Sequence, residues 1–256
     1  MTDRADDFSM LDPASQSEAD RSFARGMEVY FATSLGSTTD KLRSFTKFVP
    51  RQALAWFLAR DAIFRRVLGV HGHVVECGVY LGAGLMAWAQ LSAIHEPYNH
   101  GRRVIGFDTF TGFPRLTERD RGPSPGYAVP GGLATRAGDD LVECLRLYDL
   151  NRPLGHIPRV ELVEGDATRT IPDYVIAHPH LVVALLYLDF DLYEPTRAAI
   201  QALRPRMPKG AVVAFDELNQ AAWPGETQAV LETLEIRTLR IERFPFTPQV
   251  SFAVLE

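Results

Sequence analysis

The chain predicts an α/β fold: a seven-stranded, mostly parallel sheet that ends in an antiparallel β-hairpin, with a helical extension before it. Three observations predict this. Short apolar runs alternate with helix-like segments from residue 73 to residue 217, the pattern of a parallel sheet covered on both faces. The tail breaks the alternation, because two strand-like runs follow each other across a short Pro-containing loop. The composition, 46% hydrophobic and 23% charged over 256 residues, supports one sizeable core.

Each element follows from its local pattern. Residues 1–20 are acidic, lack an apolar core and read as a flexible arm rather than a signal peptide. Residues 21–256 read as one domain, with N-terminal helices over 21–70. Within these, "PRQALAWFLARDAIFRRVL" (50–68) is an amphipathic helix that Pro50 can open and Gly69 can end. The strands are "HVVECGV" (73–79), "RVIGFD" (103–108), "RVELVEGD" (159–166), "LVVALLYLD" (181–189) and "AVVAFDE" (211–217). Helical patterns lie near 84–95, 139–150, 169–177 and 194–206. "RTLRIERF" and "QVSFAVLE" form the closing hairpin. Residues 109–138 are rich in Gly, Pro and Arg; a connection of that length predicts a lid or an insert.

Composition excludes several functions. The formal net charge is -5 and no dense basic block is present, so no nucleic-acid partner is expected. No run of roughly eighteen apolar residues occurs, so no membrane association is expected. The two cysteines, Cys77 and Cys144, cannot make a disulfide framework, which fits a cytoplasmic setting. No His/Cys spacing suits zinc, and neither a nucleophile elbow nor a P-loop is present.

In an open parallel sheet, ligands bind beyond the carboxyl ends of the strands. Every predicted parallel strand delivers a carboxylate to that edge. The first leads into "ECGVYLGAG", where Gly78, Gly82 and Gly84 permit a tight turn and a close approach to a ligand. "GAGLMA" also satisfies a loose dinucleotide fingerprint. Asp108 ends the second strand, where an acid can accept bonds from ribose hydroxyls or simply face solvent. Asp189, Asp216 and Glu217 end the fourth and fifth strands. Converged, they form an all-oxygen site for a hard divalent cation, Mg by default. Asp191, two residues beyond Asp189, can take a hydroxyl proton as general base. Some of these acids can alternatively cap the helices that follow.

Taken in order, "VVECGVYLGAG", "IGFDTFTGFP", "EGDA", "LYLDFDLYEPT" and "VVAFDELNQAAWPGETQAV" resemble the macrocin O-methyltransferase family over roughly residues 46–235. The resemblance implies a class I methyltransferase, Rossmann-like fold, the cofactor S-adenosylmethionine, and Mg-dependent O-methylation of a sugar or glycoside in antibiotic biosynthesis. It implies that Glu76, Gly78, Tyr80 and Gly82 hold the methionine part of the cofactor. Asp108 and Thr109 would meet its ribose, and Asp166 and Ala167 its adenine. Asp189 would serve cofactor, metal and catalysis, Asp216 and Glu217 the metal, and Asp191 the proton. Phe113, Tyr127 and Tyr193 would face the acceptor. Two departures stand out: Asp216-Glu217 replaces the usual pair of aspartates, and Phe190 replaces a glycine. The segment "EADRSFARGMEVYFATSL" has apolar positions with no place in the sheet, which suggests a cover for the cofactor or a homo-oligomer contact. Two other chemistries remain open on the sequence: O-methylation of a catechol or polyketide, and NAD-dependent oxidoreduction.

Overall fold

The structure, a computed structural model, describes residues 17–123 and 126–256. Most of the expected N-terminal arm, 1–16, and two residues of the long connection, Ser124 and Pro125, lie outside the described residues. The chain divides into two compact units, 1–58 and 59–256.

The first unit opens with α1 (Glu18–Thr33) and α2 (Thr38–Arg43). Both begin with a capping box, Ser17 with Asp20 and Ser37 with Asp40, which satisfies the otherwise unpaired amides of the first turn. Phe48 packs its ring against Tyr30 and Phe31 within this unit. The boundary between the units falls inside α3 (Arg51–Arg66).

The second unit is built on β1 (His73–Cys77), β2 (Val104–Asp108), β3 (Val160–Glu164), β4 (Val183–Leu188), β5 (Val212–Phe215), β6 (Glu242–Phe244) and β7 (Thr247–Val254). The sheet order is β3-β2-β1-β4-β5-β7-β6. The first five strands are parallel; β7 runs antiparallel to β5, and β6 to β7. This is the seven-stranded class I methyltransferase arrangement with its terminal hairpin. β4 is buried at every position, as expected of a central strand covered on both faces.

The interleaved helices are α4 (Ala83–His95), α5 (Gly138–Leu150), α6 (Ala167–Ala177), α7 (Tyr193–Leu203) and α8 (Pro224–Thr233). α4 buries Leu85, Ala87, Trp88, Ala89 and Leu91, so it is apolar on more than one face. α8 begins with Pro224, whose missing amide would be unpaired there in any case. The main core runs from Val75, Ile105 and Phe107 through Leu186, Leu188, Val213 and Phe215 to Ala253 and Leu255. Among the described residues no helix is long and apolar enough to cross a membrane.

The chain winds from β1 outward to β3, then returns beside β1 with β4 and continues the other way. The crossing point therefore lies between β1 and β4, and the loops that leave those strands face a common crevice.

Candidate active site

The loop after β1 is held by Asp108 at the end of β2. One oxygen of Asp108 accepts the amides of Val79 (2.7 Å) and Tyr80 (2.8 Å), and the other that of Phe110 (2.7 Å). Asp108 thus fixes the glycine loop and the start of the long connection together. A carboxylate has room for more than three acceptor bonds, so capacity toward a ligand remains.

Gly78 is where the two crevice loops touch. Its φ is +98°, and a Cβ there would lie 1.9 Å from the carbonyl oxygen of Asp189. Only glycine permits both that conformation and that approach. Gly84 has a different reason. A Cβ at Gly84 would come within 2.0 Å of Glu76 Oε1.

Glu76 is almost wholly buried beneath this loop. Its Oε1 accepts the Trp88 indole N–H at 3.2 Å, and its Oε2 has no partner. Burial pushes its carboxyl up to about 8, against the pull of Arg60 and the Trp88 N–H. A buried oxygen left open in this way can accept from a donor on a ligand.

The loops after β4 and β5 supply the acids. Asp189, Asp191 and Glu217 each bring an oxygen within 4.8 Å of the others. Asp216, adjacent in sequence, accepts instead from the buried Tyr187 hydroxyl at 2.5 Å. Glu226, fully buried in the first turn of α8, accepts the Glu217 amide through Oε1 at 3.1 Å. The second oxygens of Glu217 and Glu226 are buried and unpartnered.

Burial, followed by the charge of Asp216, raises the carboxyls of Asp189, Asp191, Glu217 and Glu226 above their ordinary range. For Asp191 the result is about 8. Asp189 keeps 31% of its side-chain exposure, so solvent tempers the shift there. Among the described residues the cation paired with this set is Arg60. Its guanidinium lies 4.0 Å from Asp189 Oδ2, over the ring of Tyr187 at 4.7 Å and that of Trp88 at 5.7 Å. Burial opposes its charge, but Tyr187, Glu76, Asp216 and Asp189 hold its pKa up. One guanidinium against so many carboxyls leaves an anionic excess, which protons or a divalent cation can offset.

Comparison with known proteins fixes the family. The profile described as macrocin-O-methyltransferase (TylF) matches residues 59–240. The chain belongs to that family. It is accordingly an O-methyltransferase, and nicotinamide-dependent oxidation is set aside. Among solved structures, that of the calicheamicin methyltransferase CalS11 is 36% identical, covers 93% of both chains and superposes with a TM-score of 0.89. An apo structure of CalS11, described as a TDP-rhamnose 3'-O-methyltransferase of calicheamicin biosynthesis, is 35% identical over 93% of this chain and 95% of that one, with a TM-score of 0.81. The O-methyltransferase NovP, 23% identical over 78% of this chain and 79% of its own, shares the fold with a TM-score of 0.63. No curated protein sequence matches the chain.

The macrocin-O-methyltransferase pattern can now be placed residue by residue. Gly78 meets Asp189 where the loops after β1 and β4 touch, Asp108 accepts the amides of Val79 and Tyr80, and Glu76 is buried under Gly84. Thr109 donates its hydroxyl to the Gly112 carbonyl at 2.7 Å and so shapes the start of the long connection. Asp166 caps α6, accepting the amide and hydroxyl of Thr168, with Ala167 buried behind it. The acid trio that the structure brings together contains Asp191 where the sequence suggested Asp216. Phe113 and Tyr127 lie with their ring centroids 5.7 Å and 6.1 Å from that of Trp223. Tyr193 is buried, and its hydroxyl is committed to Glu232. Phe190 packs against the main core.

Sequence reasoning missed Arg60, Trp88, Tyr187, Trp223 and Glu226. Arg60 fell within the segment read as an amphipathic helix, Trp88 within a helical pattern and Tyr187 within a strand, and nothing in those patterns singles them out. Glu226 carried the one signal, a carboxylate just after Pro224 in the stretch that follows two strand-end acids.

Proposed function

We propose that this family member transfers a methyl group from S-adenosylmethionine to a sugar hydroxyl, assisted by Mg. The deoxysugar acceptor is nucleotide-linked, in the biosynthesis of a glycosylated natural product. One observation carries this reading: the loop that would hold the methyl donor and the loop that carries the acids are in contact, at Gly78 and Asp189, on the crevice between β1 and β4. Donor and acceptor hydroxyl can therefore meet there. The name of CalS11, an enzyme acting on TDP-rhamnose, supports the class of acceptor.

The residues fit both groups. The open Oε2 of Glu76 suits an ammonium such as that of the donor's methionine part, and Asp108 suits a ribose diol. The carboxylates of Asp189 and Glu217, with the unpartnered Oε2 of Glu217, suit a hard cation, and Asp191 brings an oxygen within 4.8 Å of both and is left for the proton. S-adenosylmethionine would supply the methyl group on a sulfonium, and Mg would supply Lewis acidity that makes the acceptor hydroxyl more acidic.

The chain's own residues do the rest. The Asp191 carboxylate would take the proton of the acceptor hydroxyl and so leave the oxygen more nucleophilic toward the donor's methyl group. Arg60 and the Tyr187 hydroxyl hold Asp189 and Asp216 from below, so the acids keep their geometry as charge changes above them. The wall of Phe113, Tyr127 and Trp223 offers rings on which the apolar face of a deoxysugar can pack and water is excluded.

The test is product formation. The protein incubated with S-adenosylmethionine, Mg and TDP-rhamnose should yield a singly methylated nucleotide sugar by mass spectrometry, and EDTA should suppress it. Turnover of catechols or aglycones in place of every nucleotide sugar offered would refute the acceptor assignment.

A further inference from the structure

The Asp191 turn has an unusual geometry. The Leu192 amide bonds back to the Phe190 carbonyl at 2.6 Å, with Asp191 between them at φ +62°. A three-residue turn centred on a positive φ is the rare, strained γ form. Such a conformation costs on the order of 1–3 kcal/mol and persists only where the surroundings fix it.

The fixing contact comes from the long connection. α7 starts directly after this turn, and its N-cap residue, Leu192, has no side-chain oxygen to offer. Instead, Asp120 Oδ1 accepts the Tyr193 amide at 2.6 Å, from 73 positions earlier in the chain. Asp120 Oδ2 accepts the Thr117 amide (2.7 Å) and hydroxyl (2.8 Å). The carboxylate is buried, and α8 closes over it: a Cβ on Gly225 would lie 2.2 Å from Asp120 Oδ1 and 2.6 Å from the Tyr193 amide nitrogen. Next to it, Arg119 bonds Glu232 at 2.9 Å and lies over the Tyr193 ring at 4.5 Å. The Arg119 carbonyl accepts from Gln228 at 2.8 Å. The connection, the start of α7 and α8 are thus joined at one carboxylate, two residues from Asp191.

We propose that Asp120 is a positioning residue for methyl transfer: it caps α7 from the long connection and so holds the strained turn that aims Asp191 at the acceptor hydroxyl. This rests on the role of Asp191 given above. A carboxylate at a helix N-terminus is favourable in itself, because it meets unpaired amides and the positive end of the helix dipole. Its placement ties the acceptor-side connection to the proton acceptor, so ordering of one orders the other.

The test uses Asp120→Ala, Asp120→Asn and Gly225→Ala in the full chain. Gly225→Ala presses on both the Asp120 carboxylate and the Tyr193 backbone, so it reports on the packing of α8 against the turn, while Asp120→Asn covers the case in which Asp120→Ala fails to fold. The expected result for the alanine variants is a fall in kcat of about tenfold or more, with S-adenosylmethionine affinity within about twofold of wild type. Asp120→Asn should recover part of the loss, because its amide oxygen still accepts the Tyr193 N–H. Hydrogen exchange at the Tyr193 amide should speed up in parallel with the loss of kcat. A merely structural role would lower Tm and leave kcat per folded molecule unchanged; that result, or unchanged exchange at Tyr193, overturns the proposal. If wild type transfers no methyl group at all, the proposed function fails, and exchange at Tyr193 alone decides whether Asp120 holds the turn.

Discussion

At the scale of single residues, the crevice depends on atoms that have no slack. Gly78→Ala would place a methyl group against the Asp189 carbonyl and strain a positive φ, so the two loops must part. The expected outcome is a drop in Tm together with loss of S-adenosylmethionine binding, read by calorimetry; an alanine variant that binds normally would contradict the loop contact. Asp191→Asn keeps shape and removes the proposed proton acceptor. It should cut kcat by about 10²–10⁴-fold while the affinity for S-adenosylmethionine is retained. The strand-end acids were legible in the sequence because a hydrophobic run that stops at Asp or Glu puts that residue on one known edge. Which neighbour in Asp216-Glu217 points into the crevice was not legible. That depends on Tyr187, an apolar-looking strand residue whose hydroxyl reaches Asp216 from inside the sheet.

At the scale of elements, the strands follow from apolar runs, while their ends and their order in the sheet do not. The runs suggested strands to Val79 and Asp166, but the ladders stop at Cys77 and Glu164, where Gly78 and Gly165 turn the backbone to positive φ. The helix α8 escaped notice because Pro224 and Gly225 look like loop residues, yet Pro is tolerated in a first turn and Gly225 is required beside Asp120. The terminal hairpin was legible and has a structural load. Phe252 on β7 is 2% exposed and stacks on Phe244 at 5.3 Å. Phe252→Ala should therefore cost about 3–5 kcal/mol of stability, seen as a lower denaturation midpoint with an unchanged slope. The folded fraction should still bind S-adenosylmethionine, because β5 lies between β7 and the crevice at β1 and β4.

At the scale of the whole molecule, the acid cluster links stability to pH. Asp189, Asp191, Glu217 and Glu226 have folded-state pKa values raised above those of the unfolded chain, to about 8 for Asp191. The folded state then binds more protons than the unfolded state between the ordinary carboxylate range and about 8. Stability from this source falls as pH rises through that window. The Tm of the metal-free protein should decline from about pH 6 to pH 8 for this reason, and millimolar Mg should raise Tm more at the higher pH. A flat profile in a thermal melt series, with or without Mg, would contradict the clustering.

That linkage yields the most direct test of the central claim, that the crevice between β1 and β4 is built to hold a cation beside the methyl donor. Mg is titrated into the metal-free protein by calorimetry at pH 7, in buffers of different ionisation enthalpy, for wild type and Asp189→Asn. The account predicts binding by wild type with release of protons into the buffer, as raised carboxyls give up protons to the metal, and much weaker binding by the variant. Absence of Mg binding, or binding that releases no protons and ignores Asp189→Asn, would contradict it.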